Sequence, residues 1–179
     1  MTPASLQEPE ERVEGQLKVT GQAVYTADLR PEGMLWARYL LSPHPHARIV
    51  SVDTDAARRV PGVHAVLSGA DIGPVRMGRA LMDWPALAYE RVRFVGERVA
   101  AVAAETPEAA EEAVNAIVVE YEELPAILDP TLATAPDAPI LHPDAATYAF
   151  LPGTRAPVPH PNIQGSVTVG KAAEELEQA

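Results

Sequence analysis

Apolar and polar residues change their spacing several times between positions 33 and 122, and the changes outline an alternation of strands and helices. Gly33–Leu41 (GMLWARYLL) follows a P-E-G turn, is rich in aromatic and aliphatic residues, and predicts a mostly buried strand. It stops at S-P-H-P-H, where two prolines exclude regular pairing. Arg48–Asp53 (RIVSVD) predicts a second strand with Val50 and Val52 on one face. Thr54 then predicts the cap of a short helix, Asp55–Val60, ended by Pro61–Gly62, and His64–Ser68 is again strand-like. Asp71–Pro85 has no clear period and predicts a long loop. Strands follow near Arg91–Val95 and Arg98–Ala104, separated at Gly96.

The clearest helix is T-P-E-A-A-E-E-A-V-N-A-I. Thr106 is the expected N-cap, Pro107 fits the first helical position, and Glu108 lies in the first turn, where the helix dipole favours negative charge. Ala109, Ala110, Ala113, Val114 and Ile117 recur at helical spacing and give one apolar face. From Ile117 to Glu122 the period drops to two, with Ile117, Val119 and Tyr121 opposite Val118 and two glutamates, which predicts a strand. Eight prolines follow Pro125 by position 161, so regular structure there is expected to be sparse. Ser166–Val169, Gly170 and Lys171–Gln178 read as a strand, a turn and the start of a helix, a unit too small to bury its own apolar faces. The order of elements, with one good crossover helix, predicts an α+β fold with a mixed sheet and a Pro-rich C-terminal extension.

Composition narrows the function classes. The 179 residues are 47% apolar, enough for one core, and the sequence contains no repeat. A net charge of −11 argues against nucleic acid and against an anionic membrane surface as partners. The start, MTPASLQEPEERVEG, lacks the basic and apolar regions of a signal peptide, and VAAVAA (Val99–Ala104) is too short to span a bilayer, so a cytoplasmic protein is the expectation. With no cysteine, the chain offers neither disulfides nor thiolate ligands for iron–sulfur clusters.

The residues with chemical potential form no compelling constellation. His44 and His46, two apart on an extended chain, could share a metal ion, but His64, His142 and His160 have no ligand spacing to them. Ser42, His44 or His46, and Asp53 can be arranged as a nucleophilic triad, without the G-x-S-x-G elbow. Glu111–Glu112 and Glu122–Glu123 could be acid/base pairs, yet they fall on a helix face and a strand end where solvated charge is the simpler reading. Gly170–Lys171 precedes a helix but lacks the rest of a G-x-x-x-x-G-K-S/T loop. Arg91, Arg93 and Arg98 with Glu97 surround Gly96 and read as exposed charge on two strand edges or as an interface.

Four stretches carry a resemblance. KVTGQAVYTADL (Lys18–Leu29), PEGMLWARYLLSPHPHARIVSVDTDAARRVPGVHAVLSGADI (Pro31–Ile72), RVRFVGERVAAVAAETPEAAEEAVNAIVVEYEELPAIL (Arg91–Leu128) and APILH (Ala138–His142) together resemble the N-terminal α/β hammerhead domain of the molybdenum hydroxylase large subunit. That family includes xanthine dehydrogenase, aldehyde oxidase and aerobic carbon monoxide dehydrogenase. The resemblance implies a disordered leader (1–11), a hammerhead domain (12–144), a Pro-rich connector (145–165) and the truncated start of the molybdopterin-binding region (166–179), where Lys171 replaces the usual acidic residue. It matches Tyr25 and Asp28 to a Y-x-x-D turn, His46–Ala47–Arg48 to an H-A-R strand entry, Pro61–Gly62–Val63 to a P-G-V turn, and Tyr121, Leu124 and Pro125 to a Y-x-x-L-P strand end. These are structural positions. Gly96–Glu97 belongs to the hammerhead's V-G-E-x-V-A strands and is not the family's catalytic Gly-Glu, so no catalytic, cofactor-binding or metal residue carries over.

The function so implied is the non-catalytic N-terminal scaffold of a molybdopterin-dependent hydroxylase, as a fragment, a truncated product or one piece of a split subunit. The complete complex would hold molybdenum–molybdopterin, 2Fe–2S clusters and FAD, and its other parts would be the partners: the remaining large subunit and the iron–sulfur and FAD subunits. The alternative expectation is a freestanding interaction module with the same fold and no redox role.

Overall fold

The computed structural model describes residues 12–79, 81–150 and 160–165. The expected leader (1–11), the middle of the connector and the terminal unit (166–179) lie outside them. The chain divides into two compact units, 1–34 and 35–179.

The first unit holds a single-turn helix, α1 (Gly15–Val19), that buries no residue. It ends in a paired cap: Gln22 N–H reaches Leu17 O at 2.8 Å and Gly21 N–H reaches Lys18 O at 3.3 Å. That geometry needs a left-handed residue between them, and Gly21 supplies it with φ 70°. The Y-x-x-D turn follows, with the Asp28 carboxylate accepting the Tyr25 N–H at 2.9 Å across a 3-10 turn (Thr26–Asp28).

The second unit is α+β, as the pattern predicts, and among the described residues its strands pair antiparallel in three small sheets rather than in one mixed sheet. The strands are β1 (Trp36–Leu41), β2 (Ala47–Asp53), β3 (Val63–Ser68), β4 (Arg76–Met77), β5 (Trp84–Pro85), β6 (Arg91–Val92), β7 (Arg98–Ala104) and β8 (Val118–Glu123). The first sheet runs β1-β7-β3, the second β6-β2-β8, and β4-β5 is a short hairpin. Three helices accompany them: α2 (Asp55–Arg58), α3 (Gly69–Ile72) and α4 (Pro107–Asn115).

Helix α4 forms as expected. Thr106 Oγ1 accepts the Ala109 N–H at 3.1 Å, Pro107 opens the helix, and Ala110, Ala113 and Val114 are buried. These small side chains let α4 lie close on the first sheet, where Ala100 and Val102 of β7 and Val66 of β3 complete one core. Leaving α4, the chain enters β8 of the second sheet, whose core is Ala47, Ala88, Val92 and Val99. Val52 and Val119 pack against both cores and join them.

Four expectations change. A bulge in β2 between Ile49 and Ser51 shifts the alternation, so Ile49 and Val52 face inward while Val50 is exposed. Thr54 occupies the N-cap of α2 as expected but makes no capping bond: the Asp53 carboxylate accepts the Asp55 N–H at 2.9 Å, and the Thr54 hydroxyl accepts from Arg58. The strand expected near Arg91–Val95 shrinks to β6 (Arg91–Val92), which joins β2, while β7 joins β1 and β3. The 71–85 excursion is partly regular, containing the end of α3 and the β4–β5 hairpin.

Gly69 marks a tight backbone approach. A Cβ there would stand 2.0 Å from the Ala88 carbonyl oxygen and 2.9 Å from the Tyr89 Cα. Both obstacles are backbone, so Gly69→Ala should destabilise the chain by about 2–3 kcal/mol in urea unfolding, with an unaltered midpoint overturning the assignment.

Candidate functional site

The polar residues singled out above gather where the chain passes between the two sheets. The Ser42–His46 crossing is buried at its two ends, Ser42 and His46, so the backbone groups there need internal partners. Ser42 N–H donates to Glu97 O at 2.8 Å, and Gly96 N–H donates to Ser42 O at the same distance. The Ser42 hydroxyl donates to His44 O and accepts the His44 N–H, both at 3.0 Å. His46, 5% exposed, places Nδ1 2.6 Å from the Pro125 carbonyl. A carbonyl only accepts, so Nδ1 carries the hydrogen. Leu124 N–H returns to His46 O at 2.9 Å. The H-A-R and Y-x-x-L-P motifs therefore clasp each other, and Arg48 pairs with Glu122 one step along.

This geometry dismantles the candidate catalytic sets. The Ser42 hydroxyl is bonded to backbone, and the Asp53 carboxylate accepts the Asp55 N–H at the far end of β2, so no triad forms. His44 packs its ring on Tyr121 with centroids 4.8 Å apart and approaches Glu123 at 3.7 Å, while the His46 Nδ1 is taken by Pro125. Among the described residues no group of three or more His, Asp or Glu side chains has metal-ligand geometry. Glu111 pairs with Arg38 at 3.3 Å on the surface, and Glu111 and Glu112 are both exposed. Gly170 and Lys171 lie outside the described residues.

Glu97 departs most from expectation. Rather than exposed edge charge, its side chain is 2% exposed, accepts the Arg93 N–H at 2.5 Å and faces the Arg93 guanidinium at 3.8 Å. Gly96, at φ 91°, makes the turn that swings Glu97 inward. Burial pushes the Glu97 carboxyl above its ordinary pKa, against the opposing pull of the Arg93 N–H and charge. Burial likewise raises the Tyr121 phenol, partly offset by Ser42.

A second cluster lies in the Pro-rich part, where the sequence shows little beyond its prolines. Arg76 donates to the Tyr148 hydroxyl at 3.2 Å and to Asp144 at 3.1 Å, with its guanidinium 4.3 Å from the Tyr148 ring centre. Arginine has only donors, so the phenol gives its own hydrogen to His142 Nδ1, 2.9 Å away. Burial lowers the His142 pKa, with the Arg93 charge adding to the shift. Arg93 also donates to Leu141 O at 3.1 Å, which ties this segment to β6 and the Glu97 turn.

Asn162 completes the cluster: its amide donates to Ala133 O at 2.9 Å and Pro139 O at 3.0 Å, and its carbonyl accepts the Leu141 N–H at 3.0 Å. One side chain thus replaces the ladder that proline-rich chain cannot make. An asparagine beside a proline was the available signal, but its three partners are 21 to 29 residues away.

The cleft beside Arg76, Tyr89, Arg93 and Asp144 has room for only about 30 Å³. That is water-sized, and these residues fit neither a pterin nor a flavin.

The matched family model settles the relationship: residues 20–125 fit "Aldehyde oxidase and xanthine dehydrogenase, a/b hammerhead domain". The chain belongs to that family. Over 134 residues the hammerhead is 47% identical to a probable xanthine dehydrogenase subunit of Bacillus subtilis (strain 168), covering 74% of this chain and 18% of that protein. It is 42% identical over 134 residues to the nicotinate dehydrogenase large molybdopterin subunit of Eubacterium barkeri, covering 74% of this chain and 32% of that protein. Among solved structures, the Cu,Mo-CO dehydrogenase in its carbon monoxide reduced state aligns with a TM-score of 0.71 and 40% identity, over 75% of this chain and 17% of that one. The hammerhead thus spans less than a third of these relatives.

Three variants test the site. Glu97 binds its proton more tightly folded than unfolded, so its ionisation costs stability as pH rises from about 4.5 through the raised pKa. Glu97→Gln should remove that decline from urea midpoints measured against pH. His142 has the opposite sign: stability falls as pH drops below about 6.5 through its lowered pKa, and His142→Asn should remove that loss. Parallel wild-type and variant curves would contradict either assignment. Asn162→Ala should cost about 2–3 kcal/mol and speed hydrogen exchange at the Leu141 amide, whereas unchanged exchange would refute the staple.

Proposed function

We propose that this hammerhead is the non-catalytic N-terminal scaffold of a molybdopterin-dependent hydroxylase large subunit. The supporting observation is that the motif residues hold the fold together: His46 Nδ1 donates to the Pro125 carbonyl, the Ser42 backbone bonds the Gly96–Glu97 turn, and Arg48 pairs with Glu122. Groups so engaged hold the geometry of the two sheets, and the His46 ring is buried away from solvent. In this reading the groups that contact molybdopterin and move protons lie in polypeptide beyond the hammerhead. Electrons leave through iron–sulfur clusters to FAD on partner subunits or domains, in the cytoplasm. The chain's own lack of cysteine is consistent with clusters held elsewhere.

A chimera tests this directly. Residues 20–125 would replace the matching segment of the Bacillus subtilis protein, and molybdenum per soluble subunit would be measured beside a version with the segment deleted. The expected result is loading in the chimera and loss in the deletion. Molybdopterin binding together with aldehyde or purine oxidation by the purified 179-residue chain alone would overturn the proposal.

A further inference from the structure

Among the described residues of this unit, none forms a layer over the outer face of the β1-β7-β3 sheet, yet that face carries the side chains of a buried surface. The inner face holds Leu40, Val66, Ala100 and Val102 under α4. Directly paired residues share a face, so the opposite side carries the rows Ala37, Ala103, Ala65 and Tyr39, Ala101, Leu67. No charged side chain interrupts these rows, although an antiparallel sheet with one wet face alternates apolar with polar. Tyr39 is 47% exposed and Leu67 44%. At one end, beside Leu41, the Arg98 guanidinium stands 4.8 Å from the Tyr39 ring centre and 5.8 Å from that of Trp84, which is 52% exposed. Met77 pairs across the hairpin with Trp84 and extends the apolar surface.

We infer that this face, centred on Arg98 between Tyr39 and Trp84, is where the hammerhead docks on the polypeptide that carries molybdopterin, which presents a carboxylate to Arg98. The inference rests on the function proposed above. Tyrosine, tryptophan and arginine grouped on apolar surface are the residues that dominate binding energy at protein interfaces. No carboxylate pairs with Arg98 among the described residues, so its charge awaits an acidic partner group in surroundings where that pairing is strong. A second copy fits poorly, because a two-fold contact sets Arg98 against Arg98 and adds one net charge of −11 to another. Length favours the larger polypeptide, since the matched domain is only 18% of the Bacillus subtilis protein. The path agrees too: Gln164, in the last described segment, bonds Asp83 at 3.0 Å, next to Trp84.

The test uses the same chimera, with hydroxyl-radical labelling of Tyr39 and Trp84 compared between the loaded subunit and the isolated 179-residue chain. Labelling should fall by about fivefold in the subunit, as expected for residues at the centre of an interface. Arg98→Glu should lower the yield of loaded subunit by at least about tenfold. Val118→Ser, at an exposed position on the other sheet, should leave it unchanged. Circular dichroism of the isolated Arg98→Glu chain should match wild type, and Arg98→Gln should give an intermediate yield. A loaded chimera with Tyr39 and Trp84 fully labelled would overturn the docking face alone. A wild-type chimera that never loads molybdenum would overturn the proposed function and this inference with it. A dimer of the isolated chain in sedimentation, with Tyr39 and Trp84 already protected, would give the face to a second copy and overturn it.

Discussion

A peptide group buried at a chain crossing has no water to satisfy it, and the arrangement of both main sheets depends on how the buried ends of the Ser42–His46 crossing meet that demand. The crossing leaves β1 in one sheet and enters β2 in the other. Beyond the local bonds between the Ser42 hydroxyl and the His44 backbone, its partners come from far along the sequence: the Gly96–Glu97 turn about 55 residues on, and Leu124–Pro125 nearly 80 residues on. Each bond spans the boundary between the sheets or locks a strand end beside it. The two apolar cores can then share Val52 and Val119 because their separation is fixed at this edge.

The same demand explains the buried charge. Turning the chain from β6 into β7 brings Glu97 inside, where a lone carboxylate would be very costly, and Arg93 supplies both an N–H and a counter-charge. Arg93 also holds Leu141, so the Glu97 turn and the Pro-rich segment are coupled through one side chain. Asn162 then performs for that segment what strand pairing performs elsewhere. Polar residues that look like catalytic candidates in the sequence are thus consumed as connectors, while the strongest unused interaction surface is an apolar sheet face with one arginine on it.

Local chemistry was the legible part. Thr106 and Pro107 start α4 through interactions within one turn, the alternation of Ile117, Val119 and Tyr121 survives in β8, and Gly62 makes its expected turn with φ 82°. Reading failed where the deciding partner was distant. The β2 bulge is set by pairing with β8, so Val50 and Val52 part company despite their even spacing. The strand expected near Arg91–Val95 shrinks to β6, because only Arg91 and Val92 find partners, in Arg48 and Ala47 of β2. A glutamate between two arginines carries no local mark of burial, so Glu97 was indistinguishable from surface charge.

By itself the sequence determined the α+β class, the crossover helix, the positions of turns and, through motif order, the hammerhead family. These depend on covalent and short-range preferences: glycine's freedom of φ, proline's missing N–H, and the periods at which side chains recur along helix and strand. Tertiary structure alone decided the division into separate antiparallel sheets, the fates of Ser42, His46 and Glu97, and which sheet face stays open. Those outcomes depend on burial, and whether a group is buried is decided by residues brought to it from far along the chain.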